Sequence, residues 1–224
     1  TEGLWKPYPH LVLLSKCLME VAGQRLHNLM VFMPPQHGKS TLVGEHFPSW
    51  YVGLYNEDRV IYTSYEADVA AQWGRRARNA LEIGGPQYFG VDVSQESKAA
   101  DRWDLRKHRG GMFTAGVNGP ITGRGGRIVI IDDPVKNDQQ AMSPLYQMRN
   151  MEWYKSTART RVWQNGGIIL QQTRWDTNDL SGQLMRRDGY VMLEHNRPEE
   201  VKVPKGQWLV LCLRAIAEDD DPLG

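Results

Sequence analysis

Across residues 10–22 the apolar positions Leu11, Leu14, Leu18 and Val21 fall at helical spacing, and Gly23 follows where a helix can end in the left-handed region. Residues 29–33 form instead an unbroken apolar run that stops at Pro34-Pro35, whose backbone nitrogens have no hydrogen to pair in a sheet. This pattern predicts a buried strand with a forced exit into a loop. A helix irregular at Pro48 is predicted over 39–54, then a β-branched and aromatic strand over 59–64. Residues 66–81 predict a further helix, ending near Gly84-Gly85.

Between 101 and 117 apolar and polar residues alternate about a turn at 108–111, the pattern of a hairpin. Residues 127–131 are almost wholly apolar, as in a strand buried on both faces, and end on Asp132-Asp133. Ser143-Pro144 supplies a hydroxyl cap and a first-turn proline for a helix to about 161, which Gly166-Gly167 then breaks. A strand over 168–172, a helix over 176–187 and shorter strands over 190–194 and 208–213 complete the reading. Strands alternating with helices predict an α/β fold, with a mostly parallel central sheet and helices on both faces.

With 224 residues, 41% of them hydrophobic, the chain can bury one large core, and a single domain over 1–216 is expected. From 217 the text turns acidic and loses periodicity, like the start of a linker. No apolar run nears the roughly 18 residues needed to cross a bilayer, and the N-terminus has no signal-peptide pattern, so a soluble intracellular chain is expected. Cys17 and Cys212 stand among apolar residues and predict packed free thiols, with no disulfide and no zinc site. A net charge of +1 draws nothing to nucleic acid, so any DNA contact must come from local basic clusters.

The string MPPQHGKST follows a strand and opens a helix, the setting in which backbone amides converge on phosphate oxygens. Pro35, Gln36, His37, Gly38, Lys39, Ser40 and Thr41 are therefore candidate ATP-binding residues. Lys39 would neutralise the β- and γ-phosphates, Ser40 would hold magnesium, and Gly38 would permit close backbone approach. Met33 replaces the consensus first glycine, and the competing reading is an ordinary strand–turn–helix with a surface lysine. RIVIIDDP adds a carboxylate at a strand end: Asp132 to hold magnesium through water, Asp133 to polarise the attacking water. Two aspartates before a proline also make an ordinary polar turn.

Taken in order, PPQHGKST, YTSYEADVAAQWGRRAR, GPITGRGGRIVIIDDPVK, EWYKSTARTR and GGIILQQTRWDTNDLSGQL resemble the large-terminase ATPase of tailed phages, from about Trp5 onward. The resemblance implies a RecA-like P-loop fold of the ASCE type, in which another strand separates the two ATPase strands. It also implies magnesium-dependent ATP hydrolysis that drives double-stranded DNA into a procapsid. The implied partners are a portal protein, a small terminase subunit and further copies in a ring, with no membrane, in the host cytoplasm at the portal.

By position, Lys39 and Ser40 match the phosphate loop and Asp132 the magnesium carboxylate, while Asp133 stands where the family more usually has a catalytic glutamate. Gln172-Thr173 match the motif that senses the γ-phosphate and couples hydrolysis to movement. Many relatives carry an arginine inside the phosphate loop where this chain has Pro35-Gln36, and Asp133 is one methylene shorter than glutamate. A DNA helicase or repair ATPase shares the same motifs, and a nucleotide-gated binding module would bind ATP without turnover.

TGRGGR sets Arg124 in a glycine-flanked loop, free to act as a transition-state cation in a neighbouring subunit or simply solvated; Arg127 starts the strand. Arg75, Arg76 and Arg78 share a predicted helix with Trp73 and could contact DNA phosphates, or form a solvated face with Trp73 packed inward. The stretch 98–109 is a second basic candidate. Tyr8 and His10 could border an adenine or merely pack. His27, His46, His108 and His195 lack metal-ligand spacing. Full-length relatives carry a nuclease domain, but the contiguous acidic run at 218–221 cannot surround two metals, so no DNA cleavage is expected of this chain.

Overall fold

The computed structural model describes residues 6–119, 121, 123–194 and 197–214; Trp5, His195 and the predicted linker from 217 lie outside them. Nine strands form one sheet in the order β3-β4-β5-β2-β6-β7-β1-β9-β8. The ranges are β1 Asn28–Phe32, β2 Arg59–Ser64, β3 Val93–Lys98, β4 Arg102–Leu105, β5 Gly111–Gly116, β6 Gly126–Asp132, β7 Val162–Gln172, β8 Tyr190–Met192 and β9 Trp208–Cys212. Every pairing from β5 across to β8 is parallel; β3 and β4 form an antiparallel margin. Strand β7 separates β1 from β6, the arrangement expected of a RecA-like fold.

Alternation along the strands divides the core into two layers. Leu29 and Val31 of β1, Tyr62 of β2 and Ile128 and Ile130 of β6 pack with helices α1 (Pro9–Ala22), α2 (Phe47–Leu54) and α3 (Ala67–Tyr88). Met30, Phe32, Val129, Ile131 and Trp208 face the other way, toward α5 (Pro144–Trp153) and α6 (Leu180–Asp188). Because the parallel strands point the same way, their C-terminal ends deliver the loops after β1, β2, β6 and β7 to one edge, where ligands bind in open α/β sheets.

Several boundaries differ from the sequence expectation. Gly23 has φ −76°, and Gln24 takes the left-handed turn instead, with φ 58°. The helix after the phosphate loop opens at Lys39, widens into a π-turn over Thr41–His46 and continues as α2. That widening suits Pro48, which cannot donate to the carbonyl four residues back, and the Ser49 hydroxyl takes up the Glu45 and His46 carbonyls at 2.9 Å each. Helix α3 runs through Gly84, Gly85 and Pro86. Helix α5 gives way to a π-turn over Tyr154–Ala158 and a short 3-10 turn, so the chain is already in β7 at Gly166-Gly167. Helix α6 starts at Leu180, capped by Asp179, and a short α4 (Asp138–Met142) and strand β3 had no sequence signal. Cys17 is buried as expected, but Cys212 is exposed.

Candidate active site

The phosphate-loop segment leaves β1 at Met33 and turns through two left-handed residues, Gln36 at φ 64° and Gly38 at φ 81°. At Gly38 the need for glycine is double, since a Cβ would also lie 3.2 Å from the Leu11 side chain of α1. His10 reaches the loop, its Nε2 lying 3.2 Å from the His37 carbonyl oxygen, and Tyr8 stacks on His10 at 5.8 Å between centroids. Both aromatic residues singled out in the sequence therefore border the loop. Ser40 and Thr41 open its helix, Ser40 half-buried and Thr41 exposed.

Lys39 is only 5% exposed, so its ammonium needs a counter-charge, and Asp133 supplies one: Nζ lies 3.3 Å from Oδ2 and 3.4 Å from Oδ1. Asp133 reaches it because its backbone, just past the end of β6, adopts φ 40°, rare for a residue with a side chain. Its Oδ1 also accepts the Thr173 amide at 2.8 Å, which ties the carboxylate to the loop after β7. Lys39, Asp133 and Thr173 are thus one connected group.

Asp132 differs from its neighbour in every respect. It is 3% exposed and accepts a hydrogen bond from the Tyr62 hydroxyl on Oδ2, while Oδ1 has no hydrogen-bond partner. Burial raises its pKa to about 6; the Asp133 charge adds to the rise, and Lys39 and Tyr62 oppose it. Tyr62 itself lies beneath the π-turn, where a Cβ on Gly44 would come within 3.0 Å of its hydroxyl.

Gln172 faces away from Asp132 and donates to Asp179 at 2.7 Å. Asp179 also accepts from Arg174 Nε at 2.5 Å and from the Gly182 amide at 2.8 Å, so it clamps the end of β7 to the start of α6. The Arg174 guanidinium lies 4.9 Å from the Phe32 ring. Tyr62, Arg174 and Asp179 were not singled out in the sequence, because only strand register and the cap of α6 bring them here. A tyrosine two residues before the end of a strand that pairs with an aspartate-ending strand is the signal that could have pointed to Tyr62.

The remaining candidates stand apart. Arg124 precedes β6, whose far end carries Asp132, so the length of the strand, about 20 Å, separates them. Its guanidinium stacks 4.2 Å from the Phe113 ring and makes no ion pair with a described residue. Arg127 is held by Asp58 at 3.3 Å and by the Gln164 carbonyl. On α3, Arg75 is exposed, Arg76 lies over the half-buried Trp73 at 4.8 Å, and Arg78 donates to the Lys98 carbonyl and to Asn79. In the second basic stretch Arg102 is met by Asp104 at 3.2 Å.

A model of the N-terminal part of the terminase large subunit, T4likevirus-type, matches residues 30–165, more than half of the chain. The chain belongs to this terminase large-subunit family. The matched span holds Lys39, Asp132, Asp133 and Arg124 of this terminase chain. Among solved structures it is similar to the large terminase of bacteriophage HK97, with a TM-score of 0.50 at 13% identity. That likeness is one of fold, and it covers 79% of this chain and 35% of the HK97 chain. No curated protein sequence matches.

Whether the residues fit magnesium and a triphosphate can be judged from their donors. Among the described residues no group of three or more His, Cys, Asp or Glu could enclose a metal. Magnesium does not need one: it keeps several waters and takes one or two protein oxygens beside substrate phosphates. The free, buried oxygen of Asp132 and the hydroxyl of Ser40 suit that pattern, and the buried Lys39 ammonium suits phosphate oxygens.

Proposed function

We propose that this chain is the ATP-hydrolysing motor unit of a phage DNA-packaging machine. The observation that carries the reading is the meeting of Lys39, Asp133 and the Thr173 amide beside the buried Asp132, at the ends of β1, β6 and β7. A magnesium ion held by Ser40, Asp132 and the phosphates would neutralise charge on the transferring group. Entry of the triphosphate exchanges the Lys39–Asp133 ion pair for one between Lys39 and phosphate. Asp133, still fixed by Thr173, is then free to accept a hydrogen bond from the attacking water. Loss of the γ-phosphate restores the ion pair, and the change at Asp133 reaches Gln172, Arg174 and α6 through Thr173. Tyr8 and His10 flank the base side of the site.

The motor's track is double-stranded DNA, for which the exposed Arg75 and Arg76 offer a sequence-independent phosphate contact. Its other partners are a portal protein, a small terminase subunit and further copies of the chain in a ring, at the procapsid in the host cytoplasm. No helix among the described residues is long and apolar enough to cross a membrane. Steady-state phosphate release in magnesium tests the enzymatic core of this reading. The wild-type chain should turn over ATP, and Lys39→Ala should lose turnover and most nucleotide affinity. Equal phosphate release by the two proteins would refute it.

A further inference from the structure

Two adjacent glutamines end β7, and the pleat of the strand sends them to opposite faces of the sheet. Gln172 lies on the face of Ile168 and Leu170, where its amide nitrogen is bound by Asp179 although its amide oxygen is buried without a partner. Gln171 shares the face of Ile169, which is also that of Tyr62 and, by alternation from Ile128 and Ile130, of Asp132. In register it stands between Asp132 on β6 and Val31 on β1, the latter two residues before the phosphate loop opens.

Gln171 is wholly buried, yet neither its amide nitrogen nor its amide oxygen makes a hydrogen bond of ordinary geometry. Oδ1 of Asp132, at the same level on the neighbouring strand, is buried and without a partner as well. The Gln171 amide stands close enough to that carboxylate to help hold its pKa down. The amide nitrogen and that carboxylate partly satisfy each other, but the amide oxygen has no partner, and a buried polar atom left unpaired costs about 1–3 kcal/mol that a leucine in the same space would not carry. A loosely held amide and carboxylate side by side, under the loop that carries Lys39, mark a surface built for a polar ligand.

The geometry points to Gln171, rather than Gln172, as the glutamine that serves the nucleotide: a positioning residue whose amide orders the water shell of the magnesium–triphosphate beside Asp132. Gln172 is the structural member of the pair and anchors β7 to α6. This assignment rests on the reading of the site as one for magnesium and ATP. The amide suits the task because it donates and accepts at once, and so can hold a water against the carboxylate without adding a second negative charge.

The two glutamines predict opposite outcomes when each is replaced by leucine, with a non-hydrolysable ATP analogue titrated calorimetrically in magnesium and in EDTA. Gln171→Leu should keep or raise the melting temperature, since it removes an amide whose polar atoms are poorly satisfied. It should also lose about 10- to 100-fold of the gain in affinity that magnesium gives, with a similar fall in kcat. Gln172→Leu should melt at a lower temperature, because Asp179 loses a partner, but keep the magnesium-dependent gain. Should Gln171→Leu not fold, Gln171→Met offers a more adaptable side chain for the same comparison. The assignment is overturned if the folded Gln171 variant keeps the wild-type gain and kcat, or if only the Gln172 variant loses the magnesium-dependent gain. A wild-type chain that shows no gain from magnesium would overturn the nucleotide site itself, and this assignment with it.

Discussion

Burial drives the Asp132 carboxyl up to about 6 from an ordinary 3.8, so the folded state holds this proton to a higher pH than the unfolded chain does. For an acid whose pKa is higher folded than unfolded, the stabilising contribution is complete below about 3.8 and is lost as pH rises through about 6. Asp132→Asn removes the charge and keeps an acceptor for the Tyr62 hydroxyl. It should therefore melt several degrees above wild type at pH 7.5 without nucleotide, and the gap should shrink to roughly half by pH 5 and close only below about pH 4. Thermal scans across these values check the sign, and a variant that melts below wild type at pH 7.5 contradicts it. Asp133 behaves differently, because its partners are Lys39 and the Thr173 amide. Asp133→Asn keeps an acceptor for Thr173 but releases Lys39, so nucleotide affinity should be unchanged or higher while kcat falls at least about a hundredfold. If affinity and kcat fell together, Asp133 would instead be holding metal or structure.

Helix α3 shows what an element owes to its neighbours. The carbonyl of Gly74 accepts the buried Trp103 indole at 2.9 Å, and a Cβ there would jam against the Ala100 carbonyl and lie 2.7 Å from Thr114 Cγ2. Alanine would gain about 1 kcal/mol in helix propensity, yet overpacking against backbone costs about 1–3 kcal/mol. Gly74→Ala should thus lower the urea midpoint; a raised midpoint would mean that α3 can slide away from β4 and β5. The same helix shows why some boundaries were illegible. Gly84-Gly85 reads as a stop, but Gly85 is small because the Val91 carbonyl packs against it, where a Cβ would lie at 2.8 Å. Gly166 and Gly167 likewise sit inside β7, pressed by the Arg127 carbonyl and the Val21 side chain, a contact with no local signature. The strands that carry the site were legible, since continuous apolar runs ending in Pro34 or Asp132 have few other readings. Residues such as Tyr62 and Gln171 were not, because their roles depend on which strands are neighbours and on a shared face, and neither is written locally.

At the scale of the whole molecule, the proposed ring would let one chain complete a neighbour's site. The segment 34–41 contains no arginine, and Arg124 lies at the opposite end of β6 from Asp132, out of reach of the nucleotide proposed to bind there. If the chain works in a ring, the loop before β6 can face the next subunit, and the two arginines there are not equally free to do so. Arg127 would have to give up Asp58, the Gln164 carbonyl and the Trp163 ring, 5.8 Å away. Arg124 gives up a stack on Phe113, both half-buried, and a cation–π contact is worth about 0.5–1 kcal/mol at exposed sites and about 2 when desolvated, less than the roughly 10³-fold or more that an arginine finger adds to turnover. Isolated monomers should therefore hydrolyse ATP slowly. Arg124→Ala should abolish the stimulation that assembly brings and leave nucleotide affinity almost unchanged. Mixing it with Lys39→Ala gives the sharper measurement, because a mixed ring places an intact nucleotide site from one variant beside an intact Arg124 from the other, and part of the phosphate release should return. If mixed oligomers form and stay inactive, or if Arg124→Ala alone keeps full stimulated activity, the cation is not Arg124, and the larger cost of freeing Arg127 must be met by contacts between subunits.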